Sequence, residues 1–141
     1  MKAHCSEHIN HKRIVFQENR SKLTVLNPKQ ILVEKVEVDG CEITNGIRCD
    51  FFMQKAKENE RDIEYYIELK GQDLEHALEQ LKRTISELSK DAKKQKKVSF
   101  IICTRSPLSS TKIQNFRVQF KKKFNSSLII KSSPYEYPLD Q

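Results

Sequence analysis

Two short stretches decide the fold: Ile47-Arg48-Cys49-Asp50-Phe51-Phe52-Met53, and Ile63-Glu64-Tyr65-Tyr66-Ile67-Glu68-Leu69-Lys70, closed by Gly71. Both alternate and are rich in aromatic and β-branched residues, so both read as strands. In the first, Ile47, Cys49, Phe51 and Met53 share one side, and Arg48, Asp50 and Phe52 the other. In the second, Glu68 and Lys70 stand two apart and project to the same face. If these strands pair as neighbours, Asp50 comes beside Glu68, and two carboxylates converge with an ammonium nearby. Two carboxylates at close range repel unless a cation sits between them. Hard oxygen donors of this kind suit magnesium or manganese.

Upstream, residues 31–38 alternate as a third strand, with Glu34 on its more apolar face, and Asp39-Gly40 turns the chain back. Asn45-Gly46 is a second tight-turn signal. Downstream, Asp73 reads as a helix N-cap. Leu74, Ala77, Leu78, Leu81, Ile85 and Leu88 then step by three and four as one apolar stripe. Residues 98–103 form a compact apolar run, read as a buried strand. A second helix follows, capped by Ser109 or Ser110, with Ile113, Phe116, Phe120 and Phe124 on one face. Its end carries Lys121, Lys122 and Lys123, suited to the negative end of the helix dipole. Residues 128–130 read as a last strand. The expected fold is α/β: a mixed central sheet in which an antiparallel three-strand meander is followed by helix, strand and helix. We expect a single domain over residues 1–141 with a core at about 31–131. Residues 1–13 and 132–141 are read as arms, and strands or a hairpin are read in the segments 14–16 and 23–26.

The stretches 46–52 and 65–71 together resemble the core of the PD-(D/E)XK nuclease superfamily, which includes restriction endonucleases and Holliday-junction resolvases. The resemblance spans residues 31–103, about half of the chain. It implies an α-β-β-β-α-β core with the first acid on the second strand and the (D/E)XK motif on the third. It carries a metal-ligand role onto Asp50 and Glu68 and the lysine role onto Lys70. Relatives add an upstream acid, for which Glu34 is the first candidate and Glu37 and Glu42 the alternates. Some use a glutamine on the following helix, here Gln80. Two features depart from the family pattern. Cys49 stands where the family has proline, and the N-terminal region reads as strands or loop rather than as the usual helix.

Function follows from that set. The resemblance implies a Mg2+- or Mn2+-dependent nuclease hydrolysing phosphodiester bonds by water attack, with DNA preferred over RNA. The alternative is a nuclease-like subunit without catalysis that binds nucleic acid or protein within a larger assembly. The chain carries 26 Lys and Arg against 19 Asp and Glu, a net +7, which fits a polyanionic partner. Lys93, Lys94, Lys96 and Lys97, with Lys121, Lys122 and Lys123, are the expected phosphate contacts. They would give affinity without sequence specificity. A chain this short leaves little room for a sequence-reading domain, so a homodimer or a subunit of a larger complex is expected.

No apolar run approaches the roughly 20 residues of a membrane-spanning helix, and no signal peptide is visible, so a cytoplasmic location and reduced thiols are expected. Cys49 and Cys103 fall in strand-like runs, where cysteine acts as a small apolar residue. His4, Cys5, His8 and His11 read as a polar arm, with a zinc knuckle completed by Cys41 as the alternative. Tyr65 and Tyr66 are adjacent in a strand, so one is expected in the core and the other exposed. No Walker loop, dinucleotide glycine pattern or nucleophilic triad is present.

Overall fold

The computed structural model describes residues 1–56, 62–69, 73–104 and 110–139. Its elements are β1 (Ser6–Ile9), β2 (Arg13–Glu18), β3 (Ser21–Leu26), β4 (Val33–Glu37), β5 (Phe51–Lys55), β6 (Glu64–Glu68), α1 (Leu74–Leu88), β7 (Lys97–Cys103), α2 (Ser110–Phe124), β8 (Ser126–Ser132) and β9 (Tyr135–Pro138). One mixed sheet runs β1-β4-β5-β6-β7-β8 and a smaller one runs β2-β3-β9. β4, β5 and β6 form the antiparallel meander, while β6, β7 and β8 lie parallel. The two parallel steps need crossovers, and α1 and α2 supply them. The fold is therefore α/β, with a mixed sheet and two helices.

The residues explain the layers. α1 starts where Asp73 Oδ1 accepts a 3.0 Å bond from the His76 amide, which satisfies one of the orphan N–H groups of the first turn. Its stripe of Leu74, Ala77, Leu78, Leu81 and Ile85 packs with Phe120 and Phe124 of α2 against Val36, Phe52, Tyr66 and Ile101. Both helices thus cover one face of the large sheet. The second sheet covers the other: Ile14, Phe16, Leu23 and Val25 pack on Met53, Tyr65, Ile67 and Phe100. With both faces covered, every residue of β6 and β7 is buried, as expected of strands sandwiched between two layers.

Three differences from the sequence reading follow from this layering and strand pairing. Tyr65 and Tyr66 are both buried: Tyr66 stacks edge-on with Phe52 at 5.1 Å, and Tyr65 meets Tyr137 at 6.4 Å. The tail is not an irregular arm, because β9 adds to β3 in parallel. Nor is the N-terminus a polar arm: β1 is an edge strand, with Ser6 opposite Val36 and Ile9 opposite Val33.

Lys97 is the largest single correction to the basic patch. It opens β7 and is fully buried. Its ammonium donates to the carbonyls of Asp91 (2.9 Å), Ala92 (3.0 Å), Gln95 (2.6 Å) and Phe124 (2.8 Å). It is therefore a structural clamp between the loop after α1 and the end of α2, not a phosphate contact. Burial lowers its pKa, while the Glu64 and Asp91 charges pull the other way. Replacing Lys97 with Met strands these buried acceptors, so K97M should lose about 2–3 kcal/mol of stability. Urea denaturation reads this directly, and a loss within the scatter of a surface substitution would refute the clamp.

Candidate active site

Asp50 sits immediately before β5, and Glu68 is the last residue of β6. The Asp50 amide donates to Ile67 O at 3.1 Å, and its Oδ2 accepts from the Leu69 amide at 2.7 Å. The backbone groups on either side of Glu68 are thus both bonded to Asp50. Val38 N (2.9 Å) and Asp39 N (3.3 Å) donate to Asp50 O from the turn after β4, which fixes the residue between that turn and β6. Both acids are buried, Asp50 at 2% and Glu68 at 0% exposure.

Cys49 reports on the local field. Burial pushes its thiol up to about 12; the hydrogen bond with Thr84 opposes this, and the Glu68 and Asp50 charges add to it. The thiol is thus buried within range of both acidic charges.

α1 binds the segment before β5. Gln80 is buried, and its Nε2 donates to Arg48 O at 3.0 Å, while its Oε1 has no hydrogen-bond partner among the described residues. One turn on, Thr84 Oγ1 accepts from the Cys49 amide and donates to Gln80 O, both at 2.8 Å. Arg48 Nε lies 2.8 Å from Asp39 Oδ1, and Arg83 Nη1 donates to Ile47 O at 3.0 Å. Residues 47–49 are thus strapped to α1 by the side chains of Gln80, Arg83 and Thr84, and to the turn after β4 by Arg48. This explains why β5 begins at Phe51 rather than at Ile47.

Asp50 is bonded to the backbone on either side of Glu68, and Gln80 reaches the carbonyl of Arg48, two residues before Asp50. Lys70 lies outside the described residues. Glu34 is not part of the group: it pairs with Gln54, four residues along β5 from Asp50, which is about 13 Å of strand. Its Oε1 accepts from Gln54 Nε2 at 2.8 Å, and its Oε2 is 4.0 Å from His8 Nε2. Of the alternates, Glu37 lies opposite Phe51 and is exposed, and Glu42 Oε1 accepts from the Lys2 amide at 2.7 Å. Among the described residues, no third His, Cys, Asp or Glu completes a metal-ligand group with Asp50 and Glu68.

The lysines stand elsewhere. Lys93, Lys94 and Lys96 are exposed in the loop before β7, and Lys121, Lys122 and Lys123 are exposed at the end of α2. Asn125 Nδ2 donates to Lys94 O at 2.7 Å, which ties the two segments together. They form one basic surface at the edge where β7 and β8 begin. Glu68 lies opposite Ile101, and Glu64 opposite Lys97. The acids are therefore at the other edge, at least about 13 Å of strand away.

Two features escaped the sequence reading. The first is Thr84, four residues after Gln80 on the flank of the apolar stripe; a polar residue in a buried stripe position is the signal that marks it. The second is a disulfide between Cys5 and Cys41, where reduced thiols were expected. Cys49 and Cys103 are free and buried, as expected. Among the described residues, no helix is long and apolar enough to cross a membrane. No protein-family model matches this sequence, and no curated protein or solved structure matches it at a significant level.

The raised Cys49 pKa has a definite sign. A thiol held protonated in the folded state contributes stability that is complete below its ordinary value of 9.0 and is lost as pH rises towards about 12. Stability should therefore fall by up to about 1.4 kcal/mol per pH unit across that interval from this group. Cys49→Ala should flatten the fall by that amount in urea melts run at alkaline pH. Equal slopes for the two proteins would show that the Cys49 thiol is not held protonated by burial.

Proposed function

We propose that this chain is a metal-dependent nuclease domain of the PD-(D/E)XK type that hydrolyses phosphodiester bonds, with DNA as the preferred substrate. The observation that carries the reading is the junction of Asp50 with the end of β6, where its carboxylate binds the Leu69 amide beside Glu68. The topology supports it. β4-β5-β6-α1-β7 repeats the strand and helix order of that core, with one acid at the second strand and one at the third. β1 takes the sheet edge beside β4, and β2, β3 and β9 cover the face opposite the helices, so the resemblance is to the core and not to the periphery.

The donor set fits magnesium or manganese, since two carboxylates are hard oxygen ligands and a cation removes their mutual repulsion. Such an ion supplies Lewis acidity at the phosphorus and a bound water of lowered pKa. The chain's own residues do the rest. Asp50 and Glu68 fix the position of the charge, Gln80 holds the Arg48 backbone at the rim, and Lys70, two residues beyond Glu68, orients the attacking water or offsets the growing negative charge.

A second reading has its own observation: the exposed lysines gather at the far edge from the acids, an arrangement that suits binding without cleavage. One experiment separates the two. The protein is incubated with plasmid, linear and branched DNA, and with RNA, in magnesium or manganese, beside Glu68→Ala and Lys70→Ala. Metal-dependent cleavage lost in both variants is expected, together with a manganese-dependent rise in Tm that Glu68→Gln abolishes. Cleavage that survives both changes overturns the site. Salt-sensitive DNA binding with no cleavage and no manganese-dependent rise in Tm establishes the binding module instead.

A further inference from the structure

We propose that His4, Cys5 and Cys41 form a second metal site, specific for a thiophilic divalent ion such as zinc, that is open only when the Cys5–Cys41 bond is reduced. The ligand atoms of these three residues lie within 4.8 Å of one another, and they are the one such group among the described residues. A tetrahedral zinc with bonds of about 2.3 Å to sulfur holds its two thiolates about 3.8 Å apart, inside that span. The Cα atoms of the cysteines are 5.6 Å apart. Two thiolates and an imidazole are a soft donor set, suited to zinc and unsuited to magnesium or manganese, the ions that fit Asp50 and Glu68.

The ligands are held together by more than the disulfide. The Lys2 amide donates to Glu42 Oε1 at 2.7 Å, and Lys2 Nζ donates to Cys41 O at 3.1 Å. The β1–β4 ladder begins at Ser6, directly after Cys5. The single 3₁₀ turn Ala3–Cys5 therefore stays against the Cys41 turn when the sulfurs part. Beside it lies a cleft of about 260 Å³ lined by His4, Cys5, Ser6, Glu7 and Lys35 among others. Three protein ligands and an open side leave a fourth position for water, the pattern of an exchangeable rather than a closed site.

The chemistry balances with one named co-reactant. A dithiol reductant delivers two electrons and two protons to the disulfide, yielding two thiols and its own disulfide. Metal binding then displaces both thiol protons, so uptake is reduced by acid and blocked by reoxidation.

The test uses the full chain. Protein reduced with a phosphine is titrated with zinc against a chromophoric chelator, and with cobalt(II) in place of zinc. One metal per chain is expected at this site, with the thiolate-to-cobalt charge-transfer band and the visible bands of a tetrahedral ion; the oxidised protein should give neither. His4→Ala, at an exposed position, should weaken binding about tenfold or more. Cys41→Ser should weaken binding and cut the charge-transfer band to that of one thiolate or less, and Glu68→Gln should leave both metal affinity and spectrum unchanged. Reduced protein that takes up no stoichiometric zinc overturns the proposal. So does binding that is indifferent to His4→Ala and Cys41→Ser, or lost in Glu68→Gln.

Discussion

Asp50 accepts the Leu69 amide through its side chain and donates to Ile67 O through its backbone, and from that pair of bonds the rest of the site takes its place. Sheet pairing alone ends at Phe51 opposite Ile67. Beyond it, a carboxylate replaces a backbone carbonyl as the acceptor for the first amide after the strand. The substitution has a consequence that a backbone bond would not have: it brings a charged group to the end of a central, fully covered strand. A buried carboxylate is costly unless it is hydrogen-bonded or paired, so the amide bond is part of what allows Asp50 to remain there. The same turn that donates to Asp50 O, through Val38 and Asp39, carries Cys41 two residues on, so the disulfide closes the loop against which Asp50 leans.

β6 carries a second buried carboxylate whose role is visibly structural. Glu64 accepts from Tyr66 Oη (3.0 Å), Ser89 Oγ (2.6 Å) and the Lys90 amide (3.0 Å). It ties the end of α1 to the start of the strand, and it is one of the charges that offset the burial of Lys97. The two ends of one five-residue strand thus hold acids in different service. One anchors a helix terminus beside a buried ammonium, and the other sits between the two backbone groups bonded to Asp50.

Much of this was legible in the residues, and the reasons differ by element. Asp73 and the Leu74 stripe carry a cap and a period, both local signals, so α1 is found where the sequence puts it. The Asp39-Gly40 turn and the β-rich stretches gave the meander. What failed was set by long-range contact. The burial of Tyr65 depends on a second sheet built from residues about forty or more positions away on either side. The burial of Lys97 depends on carbonyls supplied by Phe124 and the loop 91–95, and no local pattern distinguishes it from its solvent-facing neighbours. Cys5 and Cys41 are 36 residues apart, and only the β1–β4 pairing brings them together. Glu34 was singled out for its odd face, and that oddity is real. It is answered by Gln54 and His8 rather than by the site.

The separation of charge along the sheet constrains any partner more tightly than the net +7 does. The acids lie where β6 ends, and the exposed lysines lie where β7 and β8 begin. A distance of at least about 13 Å along the strands equals about four base-pair steps of 3.4 Å. A mononucleotide cannot reach both edges, whereas a duplex lying across the strands' length can have phosphates at both. On the nuclease reading, the lysines then set the register of a polymer while the acids act on one bond of it. Because the lysine edge is held by Lys97, whose own charge is spent on backbone carbonyls, the basic surface is a rigid feature of the fold, and its position relative to Glu68 is fixed by β6 and β7 themselves.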